Sequence, residues 1–219
     1  MLEIPRPWRF AAIGFTWALC APALPAAQNV PTQGSFLVAN RDLGDPNFSR
    51  TVVLLIECDE EGALGLVINR ATEVELSRAM PDLEGPGIRG QFVFLGGPVE
   101  RTGMRALVRS TEELEDSFPV FGDVRFSNSK TLLERLARQS GGKIPFRVYA
   151  GYSGWGPGQL ENEIARGDWL VRPGDADYVF FEGGALPWPS LAPEDARDRA
   201  RLERPAEKTT LLAGSGDAR

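Results

Sequence analysis

The chain has 219 residues, 42% hydrophobic and 25% charged, with five Trp, twelve Phe and no His. That length holds one domain, or one domain with appendages, and the composition excludes wholesale disorder, a collagen-like repeat and a polytopic membrane protein. The missing imidazole removes His-dependent triads and His-ligated metal sites, and a formal net charge of −6 opposes a phosphate-tracking nucleic-acid surface, leaving carboxylates, Ser, Lys, Tyr or Cys for any chemistry.

The first segment reads as targeting information. Arg6 and Arg9 precede an apolar run of eleven residues from Phe10 to Cys20, the length of a signal-peptide core and short of the roughly 20 residues that span a bilayer. Small residues follow at Ala21-Pro22-Ala23 and Ala26-Ala27. Residues 1–27 are therefore expected to export the chain to the periplasm and to be removed; a leader that does not function would leave the product cytoplasmic. Removal takes away Glu3, Arg6 and Arg9 and moves the net charge from −6 to −7. It also leaves Cys58 as the single Cys, without a disulfide partner, and Glu57, Asp59, Glu60 and Glu61 around it disfavour a thiolate. An inert thiol is expected.

Turn signals then cut the chain into short strands. Ser35–Ala39, Arg50–Glu57, Leu64–Ile68, Gln91–Leu95, Arg105–Arg109, Asp123–Phe126, Phe146–Ala150, Trp169–Val171 and Tyr178–Phe181 are β-branched or apolar runs bounded by Gly, Asp-Pro and acidic turns. Two helices stand out. Ser129–Gln139 puts Leu132, Leu133, Leu136 and Ala137 on one stripe, starts at Ser and Asn capping candidates and ends at Gly141-Gly142. The second is predicted to open at Gly156-Pro157 with Pro at its first position and to run to Ala165, with Gly167 beyond. A short third is predicted around Val74–Met80. Twenty-four Gly fit a strongly coiled sheet with bulges and tight corners. Residues 28–192 are assigned to one globular domain and 193–219 to a charged, flexible tail. Within that tail, Glu194 to Arg219 carries six acids and six bases. Trp188, between Pro187 and Pro189, either closes the core or anchors a partner.

Several motifs resemble catalytic or anion-binding signatures and also have plain structural readings. Ser127-Asn-Ser-Lys130 matches S-x-x-K, but it equally describes a capped helix start. Gly151-Tyr-Ser-Gly-Trp155 resembles a nucleophile elbow whose second Gly comes one position early, with no His to activate Ser153. Gly154-Trp-Gly-Pro-Gly158 has the context of a phosphate cradle, although Gln159 stands where a third Gly belongs. Asp42 with Asp45, and Asp175 with Asp177, fall short of the ligand count of a Ca²⁺ site and read as loop acids. No cofactor or metal follows from any of these.

Longer blocks carry a resemblance. Gly34–Ala39, Leu43-Gly-Asp-Pro-Asn-Phe-Ser-Arg-Thr-Val-Val-Leu-Leu55, Glu60–Arg70, Phe94-Leu-Gly-Gly-Pro-Val99 and Gly151-Tyr-Ser-Gly-Trp-Gly-Pro-Gly-Gln-Leu-Glu-Asn-Glu-Ile164 resemble, in order, the YqgE/AlgH family of bacterial proteins. The resemblance implies an α+β fold of strongly coiled, barrel-like, mainly antiparallel sheets flanked by a few helices, no agreed enzymatic activity, and a transcriptional-regulator label. This chain departs from the family pattern in having a leader, in reading Ile56-Glu57-Cys58 where Cys-Glu-His is common, in Ala71 after Asn69-Arg70, and in its C-terminal stretch. The motif loops nominate Asn40, Asp45, Arg50, Asn69, Arg70, Gly96, Gly97, Tyr152, Ser153, Trp155 and Gln159 as a candidate groove. The leading reading is a non-catalytic binding or regulatory accessory protein with a protein or small-molecule partner and no membrane span after the leader is lost. A small-molecule enzyme using carboxylate or Ser chemistry in the same groove is the alternative, and a DNA-binding regulator is disfavoured by charge and by the lack of a helix-turn-helix pattern.

Overall fold

The computed structural model describes residues 30–140, 144–181 and 188–192. Ten strands alternate with short helices: β1 (Ser35–Ala39), β2 (Val52–Asp59), β3 (Gly62–Val67), β4 (Ala71–Glu75), α1 (Leu76–Ala79), β5 (Phe92–Leu95), β6 (Val99–Arg109), β7 (Phe118–Phe121), β8 (Val124–Ser127), α2 (Lys130–Arg138), β9 (Phe146–Trp155), α3 (Gln159–Ala165), β10 (Trp169–Pro173), α4 (Ala176–Val179) and α5 (Trp188–Leu191). A 3₁₀ turn covers Pro86–Ile88. The strands form one continuous, mostly antiparallel sheet in the order β10-β1-β2-β3-β9-β6-β8-β7, with β4 on β5 and β5 on β9, curled into a half-barrel. The α+β, barrel-like fold expected from the resemblance is the fold observed. Among the described residues, no helix is long and apolar enough to cross a membrane.

β9 organises the sheet. Its first part pairs antiparallel with β6 (Val108↔Phe146 to Met104↔Ala150) and parallel with β5 (Phe94↔Tyr149, Leu95↔Ala150), and its last three residues pair with β3 (Gly65↔Ser153 to Ala63↔Trp155). Alternation then sorts its side chains to two faces. Phe146 and Val148 join Ala106, Val108 and Val93 in a core covered by Leu132, Leu133, Leu136 and Ala137 of α2. Tyr149 and Trp155 belong to the larger core with Phe36, Leu54, Leu66, Leu107 and Trp188. The far ends of the sheet meet through side chains. Phe121 of β7 lies against Gly34 and Gly174, where added Cβ atoms would stand 2.8 Å from its Cβ and 3.0 Å from its Cζ, and it meets Phe36 edge-on at 6.4 Å.

α2 follows the predicted stripe, and Ser129 caps it by accepting the Leu132 N–H at 3.3 Å. Other elements differ from expectation. The apolar run Tyr178–Phe181 is not a strand: Pro173-Gly174 ends β10, and Asp175 caps α4 by accepting the Asp177 N–H at 2.8 Å, so local capping chemistry outweighs β-propensity. β4 takes up the predicted helix as far as Glu75, and α1 begins at Leu76. Pro157 lies outside α3, because Gly158 at φ 72° is the N-cap. β7 was not expected. Trp188 closes the core: it is buried and its Nε1 donates to the Ala39 carbonyl at 2.9 Å. The proposed leader, the tail from 193 and the expected stop at Gly141-Gly142 lie outside the described residues.

Candidate functional site

The segment Gly151–Trp155 does not turn at a corner; it is the end of β9. Its glycines permit close crossing of backbones. At φ 75°, Gly151 sits where a Cβ would be 2.7 Å from both the Gly97 and Val99 carbonyl oxygens, and a Cβ on Gly97 would lie 2.1 Å from the Tyr152 oxygen. Gly96 completes the crossing, accepting from Val67 N and donating to Ala150 O, each at 2.8 Å. Ser153 is fully buried and donates to Gly96 O at 3.3 Å, a position that keeps its hydroxyl from any substrate. The elbow reading therefore fails on geometry.

The Asn40–Arg50 loop is pinned from several sides. Asn40 Nδ2 donates to Gly167 O at 2.8 Å. Asp45 Oδ1 accepts the Asn47 N–H at 2.7 Å, closing an Asx turn. The Asn69 amide, buried between β2 and the loop, accepts from Val52 N and donates to Arg50 O, both at 2.9 Å. Arg70 Nη2 donates to Pro46 O at 3.0 Å and to Ser49 O at 3.2 Å. Burial lowers the Arg70 guanidinium from its ordinary range; Asp45 opposes this and Arg101 adds to it by like charge. Arg50 itself adopts φ 56°, rare for a residue with a side chain, and its guanidinium lies 6.0 Å from the Trp188 ring centre.

Beneath the loop is an aromatic group that motif reading only half recognised. Phe48 stacks on Trp155 at 6.0 Å and 27° and meets Trp169 edge-on at 5.4 Å. Both indole N–H groups donate to one oxygen of Glu163, Oε2, at 2.8 and 2.9 Å, while Oε1 accepts from Gln159 Nε2 at 2.9 Å. Gln159 Oε1 in turn accepts the Gly156 N–H at 3.2 Å, so α3 locks the end of β9. Glu163, Phe48 and Trp169 were not singled out from sequence. The available signal was the four-residue step from Gln159 to Glu163 on one helix face. The Tyr152 ring is half-buried with the Arg105 guanidinium 4.4 Å over it, while its backbone lies against Gly97.

The other tempting chemistry resolves into structure. Ser127 Oγ donates to Asp116 O at 2.6 Å, and Lys130 pairs with Asp82 at 3.5 Å on an exposed surface, so the S-x-x-K motif is a helix start. Asp177 pairs with Arg109 at 2.8 Å. Among the described residues, no three Cys, Asp or Glu side chains gather in a way that could hold a metal ion. A surface depression of about 490 Å³ lies elsewhere, lined by residues between Glu75 and Gly90.

Two groups, the half-buried Cys58 thiol and the buried Tyr149 hydroxyl, give predictions. The Cys58 thiol donates to Pro31 O at 3.6 Å and is pushed up, first by burial, then by Glu161 and Asp59. The direction is the one expected from sequence, although burial outweighs the flanking acids and Glu161 comes from α3. Cys58→Ser is expected to change stability by no more than about 1 kcal/mol, and the native thiol to alkylate slowly at pH 7; rapid alkylation in a stopped assay would contradict this. The Tyr149 hydroxyl is fully buried and has no hydrogen-bond partner of ordinary geometry among the described residues; burial raises its pKa well above normal, against the pull of Arg147 beside it. An unmet buried hydroxyl costs about 1–3 kcal/mol. Tyr149→Phe should therefore hold the melting temperature or raise it, and a clear drop in thermal unfolding would show that the hydroxyl is partnered.

The nominated residues thus form one connected region running from Asn40 through Phe48 and Arg70 to Gly97, Trp155 and Gln159. Comparison with known proteins places that region in a family. A family model described as AlgH-like matches residues 36–193. A UPF0301 protein of Thioalkalivibrio sulfidiphilus is 35% identical over 194 residues, covering 87% of this chain and 97% of its own. A UPF0301 protein of Streptomyces avermitilis is 42% identical over 155 residues, covering 65% of this chain and 77% of its own. The solution structure of the AlgH protein from Pseudomonas aeruginosa matches with a TM-score of 0.61 and 32% identity, over 87% of this chain and 99% of that one. A crystal structure of a Corynebacterium diphtheriae protein, at 23% identity and a TM-score of 0.62 over 74% of this chain and 86% of that one, shares the fold. With more than two thirds of the chain matched by the family model, the protein belongs to the AlgH-like family.

Proposed function

We propose that this chain is a non-catalytic binding or regulatory accessory protein, acting after export to the periplasm, with a contact surface formed by the Asn40–Arg50 loop, Arg70 and the Gly96–Pro98 turn. One observation carries the reading: the polar motif side chains serve the fold itself. Asn69 is spent on Val52 and Arg50, Ser153 on Gly96, and Gln159 and Glu163 on each other and on two indoles. Such bonds make the loop a preorganised surface, which favours binding by lowering the ordering cost. The partner is a protein or small molecule; the net charge of −6 argues against nucleic acid.

The test is retention from extract by the immobilised chain lacking residues 1–27, read by mass spectrometry for metabolites and proteins. A species held by the parent and lost with Asp45→Ala supports the reading. Conversion of an extract metabolite to a new product, abolished by changing a carboxylate of this region, would replace it with the enzyme reading. Fractionation of cells carrying the full chain tests the location: a shortened periplasmic product is expected, and an uncleaved cytoplasmic one would overturn export.

A further inference from the structure

Two guanidinium groups converge on one buried indole. Arg41 Cζ lies 5.5 Å and Arg50 Cζ 6.0 Å from the centre of the Trp188 ring, and both arginines are exposed. They come from opposite ends of the Asn40–Arg50 loop, so the loop closes over this ring. The ring is fixed in turn: it is 7% exposed and its Nε1 donates to Ala39 O at 2.9 Å. Cation–π attraction holds a guanidinium against an indole but neutralises no charge, so two like charges share one small patch. Arg50 forms no ion pair among the described residues, Asp42 forms none either, and Asp45 turns its Oδ1 to the Asn47 N–H at 2.7 Å.

The chain carries acids of its own to this place. Trp188 opens α5, and Ala192, buried just past the end of that helix, donates its N–H to Trp188 O at 2.7 Å. The next charged residues in the sequence are both acids, Glu194 and Asp195, and bases return only at Arg197. Three residues of backbone reach at most about 11 Å from Ala192. Both carboxylates are therefore tethered beside the ring that the two arginines cover, and so short a tether gives an effective concentration on the order of millimolar or above. Guanidinium and carboxylate match in fork geometry.

From this juxtaposition we infer that the face made by Arg41, Arg50 and Trp188 is the docking site of residues 193–195 of this same chain, with the Glu194 and Asp195 carboxylates paired to the two guanidinium groups. The pairing ties the C-terminal stretch to both ends of the motif loop. It covers the root of that loop and leaves the exposed tip, residues 44–46, as the part open to a partner. The inference goes beyond the binding reading above and does not depend on it.

The experiment follows the arginine Nε–H signals of the full ¹⁵N-labelled chain by NMR, with Glu194→Gln/Asp195→Asn as the variant, whose changes lie outside the described body. Exchange of the Arg41 and Arg50 Nε–H with water should quicken about threefold or more in the variant, the scale of an exposed ion pair. Arg89, which lines the depression between Glu75 and Gly90, should be unchanged. Sodium chloride at about 1 M, where the screening length falls to about 3 Å, should act on the parent as the variant does. The ¹H–¹⁵N NOE of residues 194 and 195 should drop in Arg41→Glu/Arg50→Glu and recover when Glu194→Lys/Asp195→Lys is added. Unchanged Nε–H exchange in the tail variant, or an NOE that the charge swap does not restore in a folded protein, would overturn the inference; if the arginine variant fails to fold, the tail variant decides alone. An effect that fades on dilution would put a second copy's tail on the patch and overturn it equally.

Discussion

Trp155→Ala should lower stability by about 3–5 kcal/mol, a large share of the 5–15 kcal/mol typical of a domain. The ring is only 5% exposed, with Phe48 stacked on one side and Trp169 edge-on at 6.1 Å. Truncation leaves a cavity beneath the Asn40–Arg50 loop and removes one of the two indole donors to Glu163 Oε2. Trp155→Phe keeps most of the packing and deletes the N–H, so the gap between the two variants separates cavity from hydrogen bond. Urea unfolding measures both; an unmoved midpoint for the Ala variant would mean that the ring lies outside the core.

Gly97→Ala is the second large effect, with an expected loss of about 3 kcal/mol or more. Its Cβ would stand 2.1 Å from Tyr152 O and 2.5 Å from Ser153 N. Both are backbone atoms of β9 and cannot swing aside, so β9 and the Gly96–Pro98 turn must separate. Gly44→Ala, in the motif loop, is the contrast: a Cβ there meets nothing within 4 Å. It should be neutral or gain a few tenths of a kcal/mol through the unfolded chain. Equal thermal shifts for the two variants would show that the crossing is looser than described.

Sequence reading succeeded where the governing signal is local. The α2 stripe and its Ser cap, the strand β1 and the apolar run of β2 depend on periodicity and capping within a few residues of each position. It failed at Gly151–Trp155, because glycine permits both a sharp corner and a close crossing, and only the non-local arrival of Gly97 decides between them. Tyr178–Phe181 failed differently: one Asp cap outweighed an apolar run. The site residues were visible as motifs, but their tasks were not. Asn69 reads as a loop polar residue until its two bonds to Arg50 and Val52 are seen, and Glu163 reads as a solvated helix acid until two tryptophans from different strands converge on it.

The pairing of β1 with β10, Ser35 opposite Pro173, and the bridging of both cores by β9 also constrain how the chain comes into being. Synthesis delivers β1, β2 and β3 early, but the strand that joins them to β6 and β5 arrives only at residues 146–155, and the partner closing the other flank of β1 comes later still. Those long loops must close before their contacts can reward the entropy lost, so folding should fall in the slow range of milliseconds to seconds. Until then Val52–Ile56, buried completely in the finished protein, stays available to other chains, and nascent molecules cut short before Trp155 are the form most prone to aggregate.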